Sequence, residues 1–398
     1  MISNRVKNIT PSATVALNGK VSELVAAGVD VIAFNIGEPD FDTPAPIVEA
    51  CQKALSQGKT KYTAASGIMP LRKAICAKLL RDNGVTYEPK QICVSTGAKQ
   101  ALNNAILAVV NPGDEVIIPT PCWVSYIEIV KLADGIAVTV PTKESEGFQL
   151  DIEAIKSAIT PRTRAILINT PNNPTGASYS EKSLRELGEL ALKHDFYIVS
   201  DEIYEKLIYG ESKHICPAAL SPEIYEHTIV INGFSKAYSM TGWRIGYTAA
   251  PKDIAKAIDD LQGHTTSNST TFVQYAALEA LDAKNDASVE AMKVEFNKRR
   301  KYLLDFLRSI PDVTCADAGG AFYLMPNISK YYGCSYNGMV IKDSFDFCTF
   351  ILEEAKVAIV PGASFEAPDN VRISYSNSME NLERGAKRLL QAMQLLKQ

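Results

Sequence analysis

The chain has 398 residues, 46% of them apolar and 22% charged, an ordinary globular composition with enough length for two domains rather than one core. Its 41 Lys and Arg nearly balance 45 Asp and Glu, and basic residues gather into no stripe, which argues against nucleic acid or an anionic membrane as partner. No apolar run approaches a bilayer span, and the N-terminal MISNRVKNIT lacks the apolar core of a secretory signal. A cytoplasmic protein acting on small molecules is the expectation.

In chain order, Asn35-Ile-Gly-Glu-Pro-Asp40 is a turn-rich stretch, too irregular for a core element and suited to capping a crevice between domains. Over 46–57, Ile47, Ala50, Cys51, Ala54 and Leu55 keep helical spacing until Gly58 stops it, and a second helix over 71–83 ends at Gly84. Short β-branched runs follow at 91–95, 115–118, 165–169, 196–200 and 228–232, separated mostly by helical stretches such as 99–110 and 182–193. That alternation predicts an α/β fold with a mostly parallel sheet between helices. Beyond 282 the text changes to a long charged helix over 288–309, short strands near 321–325 and 371–375, and a final amphipathic helix. This reads as a smaller α+β domain, and the expected division is 1–45, 46–282 and 283–398.

Eight cysteines lie scattered without a CxxC pair, and His194, His214, His227 and His264 lack metal-ligand spacing. Reduced structural thiols and no metal are expected.

In open α/β sheets ligands sit beyond the carboxyl ends of the strands, and four such ends carry chemistry. Ser95-Thr-Gly-Ala-Lys99 turns through small residues into a helix, offering free N–H groups to a phosphate or simply making a tight turn. Asn169-Thr-Pro-Asn-Asn-Pro-Thr-Gly176 is a turn former that holds Asn173 extended before a proline. Asp201 directly after an apolar strand is either a helix cap or the partner of a protonated ring nitrogen, with Tyr204 close behind. In Gly233-Phe-Ser-Lys-Ala-Tyr-Ser-Met-Thr-Gly-Trp-Arg-Ile-Gly246, Lys236 sits among small and aromatic residues. Desolvation there depresses an amine pKa, and Arg244 offers a planar fork for phosphate.

With those motifs in order, the chain resembles the class I, fold type I aminotransferases dependent on pyridoxal 5'-phosphate, and within them the bacterial aspartate aminotransferase subgroup. The resemblance runs from Pro11-Ser-Ala-Thr14 through Gly37-Glu-Pro-Asp-Phe-Asp-Thr-Pro44 and Gly58-Lys-Thr-Lys-Tyr62 to Val371-Arg-Ile-Ser-Tyr375. It implies that Lys236 is the Schiff-base lysine, that Asp201 pairs the pyridine nitrogen, and that Tyr204 and Asn173 bond the ring oxygen. Trp123 would stack on the ring. Phosphate would be held by the Ala98 and Lys99 amides, Ser235, Arg244, and Tyr62 from the second subunit of a homodimer. Arg372 would take the substrate's α-carboxylate, aided by Asn173 and the Gly37 backbone.

For the distal carboxylate of a dicarboxylic substrate the resemblance points to Lys99 with hydroxyls such as Thr14. L-Aspartate and 2-oxoglutarate are then the expected pair, amino acids and 2-oxo acids being the small-molecule partners. Relatives that also aminate prephenate carry lysine where this chain has Thr10, so a prephenate activity is not expected. Aromatic or neutral amino acids, or carbon–sulfur β-elimination on the same cofactor, are the competing readings. A non-catalytic regulator would need an added DNA-binding segment, and no strand here leads into the GxGxxG of a dehydrogenase.

Overall fold

The computed structural model describes residues 1–11 and 13–397, without the side chains of 13–15. Its centre is a seven-stranded sheet made of β1 (Ile92–Ser95), β2 (Glu115–Thr120), β3 (Ile136–Pro141), β4 (Thr163–Asn169), β5 (Tyr197–Asp201), β6 (Thr228–Gly233) and β7 (Gly246–Ala249). The spatial order is β1-β7-β6-β5-β4-β2-β3. All neighbours pair in parallel except β7, which runs antiparallel to both β1 and β6.

Alternation along each strand sends side chains to opposite faces. Leu167, Val199, Ile229 and Ile231 pack with the helices Ala98–Val109 and Lys252–Thr265. Ile166, Ile168 and Ile198 pack with Leu184 and Leu187 of Glu181–His194. Both faces are covered, so the strands read as nearly continuous apolar runs. Helix Glu181–His194 starts where Ser180 accepts from the Ser183 amide and stops at Asp195, whose φ of 54° ends the right-handed turn.

A second layer comes from the C-terminal third. Val371–Ser374 pairs antiparallel with Val360–Pro361 on one side and Tyr323–Leu324 on the other. Helices Asp286–Ser309, Ser344–Ala355 and Met379–Met393 back it through Phe296, Leu303, Phe347, Ile351, Leu382 and Leu389. The chain's beginning joins this layer: Ile32–Ala33 pairs in parallel with Val357–Ala358.

The expected helices and strands appear within a few residues of their predicted limits, and several other elements were not anticipated. Helix Ala13–Ala26 lies in the first 45 residues. Strand β3 is an edge strand whose side chains are mostly half-exposed, and β7 is a four-residue run beginning at glycine. Neither pattern stands out from a loop without its partner strands. Among the described residues, no helix is long and apolar enough to cross a membrane.

Candidate active site

Parallel pairing brings the carboxyl ends of β1, β4, β5 and β6 to one edge of the sheet. The register puts Asn169 beside Asp201. Antiparallel β7 begins where those strands end, so Gly246 lies beside both Ser95 and Gly233. Above this edge, under the C-terminal layer, opens a cavity of about 410 Å³. Its lining includes Gly37, Ala98, Lys99, Trp123, Asn173, Asp201, Tyr204, Ser235, Lys236, Arg244 and Arg372.

Lys236 reaches into the cavity and donates to the Gly37 carbonyl at 2.5 Å. Its nitrogen lies 5.8 Å from the centre of the Tyr204 ring and 5.7 Å from that of Phe322. Burial pulls the amine down to about 8, against an opposing pull from Glu38. Asp201 is buried at the end of β5, where it accepts from the Tyr126 hydroxyl at 2.8 Å and from the Ile203 amide at 3.2 Å. Burial pushes its carboxyl up to about 6 in spite of those two donors.

Arg372, buried on strand Val371–Ser374, donates to Asn173 Oδ1 at 3.0 Å and to the Asn35 carbonyl at 2.8 Å. Its guanidinium lies over the Tyr323 ring, 4.5 Å from the centroid, and its Nε has no partner among the described residues. Such a fork, cationic and incompletely satisfied, suits a carboxylate. Asn173 in turn is fixed by its amide, which donates to Asn169 Oδ1 at 2.7 Å.

At the opposite end, Gly97 (φ 84°) leads into helix Ala98–Val109. The amides of Ala98 and Lys99 stand in its first turn, where no carbonyl one turn back can take them. Arg244 folds over this turn: a Cβ on Gly97 would lie 2.6 Å from its Nη2, and a Cβ on Gly246 would lie 2.4 Å from the Ala98 nitrogen. The glycines therefore permit a close approach of loop, helix start and guanidinium, with Ser235 alongside, and that cradle suits a phosphate. Lys99 at the rim has its nitrogen 4.6 Å from the Trp123 ring centre. Burial first, then Arg244, holds its ammonium below the usual lysine range.

One predicted site residue is not in this assembly and another cannot be placed against it. Tyr62 is 91% exposed and lines no part of the cavity in the single chain. The side chain of Thr14 lies outside the described residues. Several cavity residues were missed from sequence. Tyr126 stacks edge-on against Trp123 three positions earlier, a helical spacing that was available as a signal. Tyr323, whose hydroxyl lies 3.0 Å from that of Tyr204, is brought in by a different layer, and Asn18 likewise carried no local mark, while Asn35, Glu38 and Thr241 lay in stretches singled out for other reasons. His214, unpromising by spacing, meets Glu202 at 2.8 Å and has Glu205 nearby. Lys78 pairs with Glu205 there, which makes the group a buried ion-pair network.

The donor set fits a phosphorylated pyridine aldehyde: a desolvated amine, a buried carboxylate opposite a ring position, an aromatic ring, and a phosphate cradle. Known proteins agree. The family model for aminotransferase class I and II matches residues 29–389. An aspartate aminotransferase of Geobacillus stearothermophilus is 49% identical across 99% of this chain and 99% of its own length. A probable aspartate/prephenate aminotransferase of Aquifex aeolicus is 46% identical across 99% and 98%. Among solved structures, the Thermus thermophilus aspartate aminotransferase with maleate is 44% identical with a TM-score of 0.93, covering 98% of this chain and 99% of that one. The Rhizobium meliloti aspartate aminotransferase is 39% identical with a TM-score of 0.96 across the full length of both.

Proposed function

Because this chain belongs to the class I and II aminotransferases, enzymes of fold type I that use pyridoxal 5'-phosphate, we propose that it moves the amino group of L-aspartate to 2-oxoglutarate, giving oxaloacetate and L-glutamate. The observation that carries this reading is the convergence of Lys236, Asp201, Arg244 and Arg372 on one cavity. When bound, the cofactor supplies a carbonyl that accepts the amino group and a protonated ring that stores an electron pair.

The chain's own residues do the rest. Asp201 would hold the proton on the ring nitrogen, Tyr204 and Asn173 would bond the ring oxygen, and Trp123 would stack on the ring. Arg244, Ser235 and the Ala98 and Lys99 amides would hold the phosphate. Lys236, with its amine near 8, is neutral often enough at physiological pH to take the proton from the substrate's α-carbon, and it would carry that proton to the cofactor's C4′ carbon, two bonds away. Arg372, aided by Asn173 and the Gly37 backbone, fixes the α-carboxylate and so aims that proton at Lys236. The same groups run in reverse with the second 2-oxo acid, which gives ping-pong kinetics.

Aspartate is the favoured donor because Lys99 supplies a second cation at the rim, where a distal carboxylate would lie. The exposed Tyr62 is proposed to reach the phosphate of a second copy, making the working unit a homodimer of small-molecule enzymes in the cytoplasm. Absorbance of the purified protein tests the whole: L-aspartate should remove the visible band of the lysine-linked cofactor and 2-oxoglutarate should restore it. A protein that shows no such band even with added pyridoxal 5'-phosphate would sink the reading. Pyruvate and ammonia released from cystathionine without an acceptor would move it to a lyase.

A further inference from the structure

Glu38 follows Gly37, whose carbonyl takes the Lys236 amine, and its side chain lines the same cavity. It is held twice: the Thr241 hydroxyl donates to Glu38 Oε2 at 2.7 Å, and the Ser376 hydroxyl donates to the Glu38 carbonyl at 2.6 Å. Thr241 also offers its own carbonyl to Arg244 Nη1 at 2.8 Å. No role assigned above uses the Glu38 carboxylate.

We propose that Glu38 is a positioning residue acting through Lys236: its carboxylate is the counter-charge that favours the protonated lysine nitrogen, and Thr241 fixes where that charge stands. The proposal rests on Lys236 being the cofactor-bearing lysine.

The groups facing Lys236 come from four elements. Asp201 stands at the end of β5, with the Tyr204 ring on the loop after it. Arg372 approaches from strand Val371–Ser374, Arg244 from the lysine's own loop, and Glu38 from the N-terminal segment. On the proposed function, bound cofactor would engage Asp201 through its ring nitrogen and Arg244 through its phosphate, and bound substrate would engage Arg372. Glu38 is the charge among these that neither ligand takes up. Among the fixed charges its effect on the Lys236 amine is also the largest, directed upward. Since Lys236 must gain and lose a proton in each half-reaction, a nearby anion biases that equilibrium in every state. Glu38 is exposed at the rim, so its influence is modest and salt-sensitive.

The test is a pH titration of the visible absorbance of the holoprotein, which reads the protonation of the lysine-linked nitrogen without turnover. Glu38→Gln keeps an oxygen for the Thr241 hydroxyl and removes only the charge. Its midpoint should fall by on the order of half a pH unit at low ionic strength, with the difference shrinking toward about 1 M salt. Glu38→Asp, which keeps the charge, should stay closer to wild type. Thr241→Val, which frees the carboxylate to swing away, should shift the midpoint in the same direction and serves if Glu38→Gln does not fold. A midpoint that is unchanged or higher in Glu38→Gln, or unchanged in Thr241→Val where that variant stands in, overturns the proposal alone. A wild-type protein without the visible band overturns the reading of Lys236 and this proposal with it.

Discussion

Tyr126→Phe isolates one hydrogen bond. The ring stays, with its edge-on contact to Trp123 at 5.5 Å between centroids, while the hydroxyl that donates to Asp201 Oδ2 at 2.8 Å is lost. Both residues are buried, so water does not replace the donor freely. Burial alone raises the Asp201 carboxyl, and the Tyr126 hydroxyl and the Ile203 amide pull it back to about 6. A hydrogen bond to a charged group contributes about 1.5–3 kcal/mol, and one pKa unit corresponds to about 1.4 kcal/mol. Removing a donor that favours the carboxylate therefore raises the Asp201 pKa by about one to two units. At pH 7 the carboxyl of the cofactor-free protein is then about half to nine-tenths protonated, and it favours a proton on the ring nitrogen less strongly. Carbon-13 NMR titration of the cofactor-free protein, with Asp201 assigned by an Asp201→Asn control, reads the shift directly. The first half-reaction with L-aspartate should slow about tenfold or more. An Asp201 pKa that stays put or falls in Tyr126→Phe would refute the account of how this carboxylate is kept ionised.

Arg372→Lys replaces a fork that holds Asn173 Oδ1 and the Asn35 carbonyl with a point charge; the KM for L-aspartate should rise about ten- to a hundredfold, and an unchanged KM would remove Arg372 from carboxylate binding. Lys99→Ala should lower the preference for aspartate over alanine by about tenfold, because a charged hydrogen-bond donor is worth at least that much; competition assays with the two donors decide it, an unchanged ratio counting against Lys99. Gly246→Ala drives a Cβ to 2.4 Å from the Ala98 nitrogen, so urea denaturation should show a loss of about 1–3 kcal/mol together with weaker cofactor retention. Full stability and retention would mean that the cradle tolerates more space than its geometry allows.

Much of the site was legible because its chemistry lies at strand ends, and strand ends are readable from apolar runs that stop at small or polar residues. Asp201 at the end of β5 and Lys236 after β6 are examples. The misses share a physical cause. Tyr323, Asn35 and Glu38 belong to segments more than a hundred residues from Asp201 along the chain; the turn-rich stretch 35–40 was legible as a cap over a crevice, but which of its side chains face the cavity is not a local property. Strand β7 escaped for a related reason: Gly246–Ala249 is too short to show a period, and only pairing with β1 and β6 makes it a strand. Helix Ala13–Ala26 was hidden by the turn-rich stretch that follows it.

The sequence by itself determined the alternation of helices and strands and the small-residue turns, because these follow from side-chain periodicity and backbone sterics over a few residues, while the roles expected of the amine, carboxylate and arginines are what the family resemblance of their motifs implies. Tertiary structure alone decided which of them meet. Parallel pairing carried Asn169, Asp201 and Gly233 to one edge, and the C-terminal layer lowered Arg372 and Tyr323 onto it. Burial also set the acid–base character of the site. The ordinary values of a lysine and an aspartate are sequence properties, but the fall of Lys236 to about 8 and the rise of Asp201 to about 6 arise from excluding water around both, which no local stretch of the chain can do.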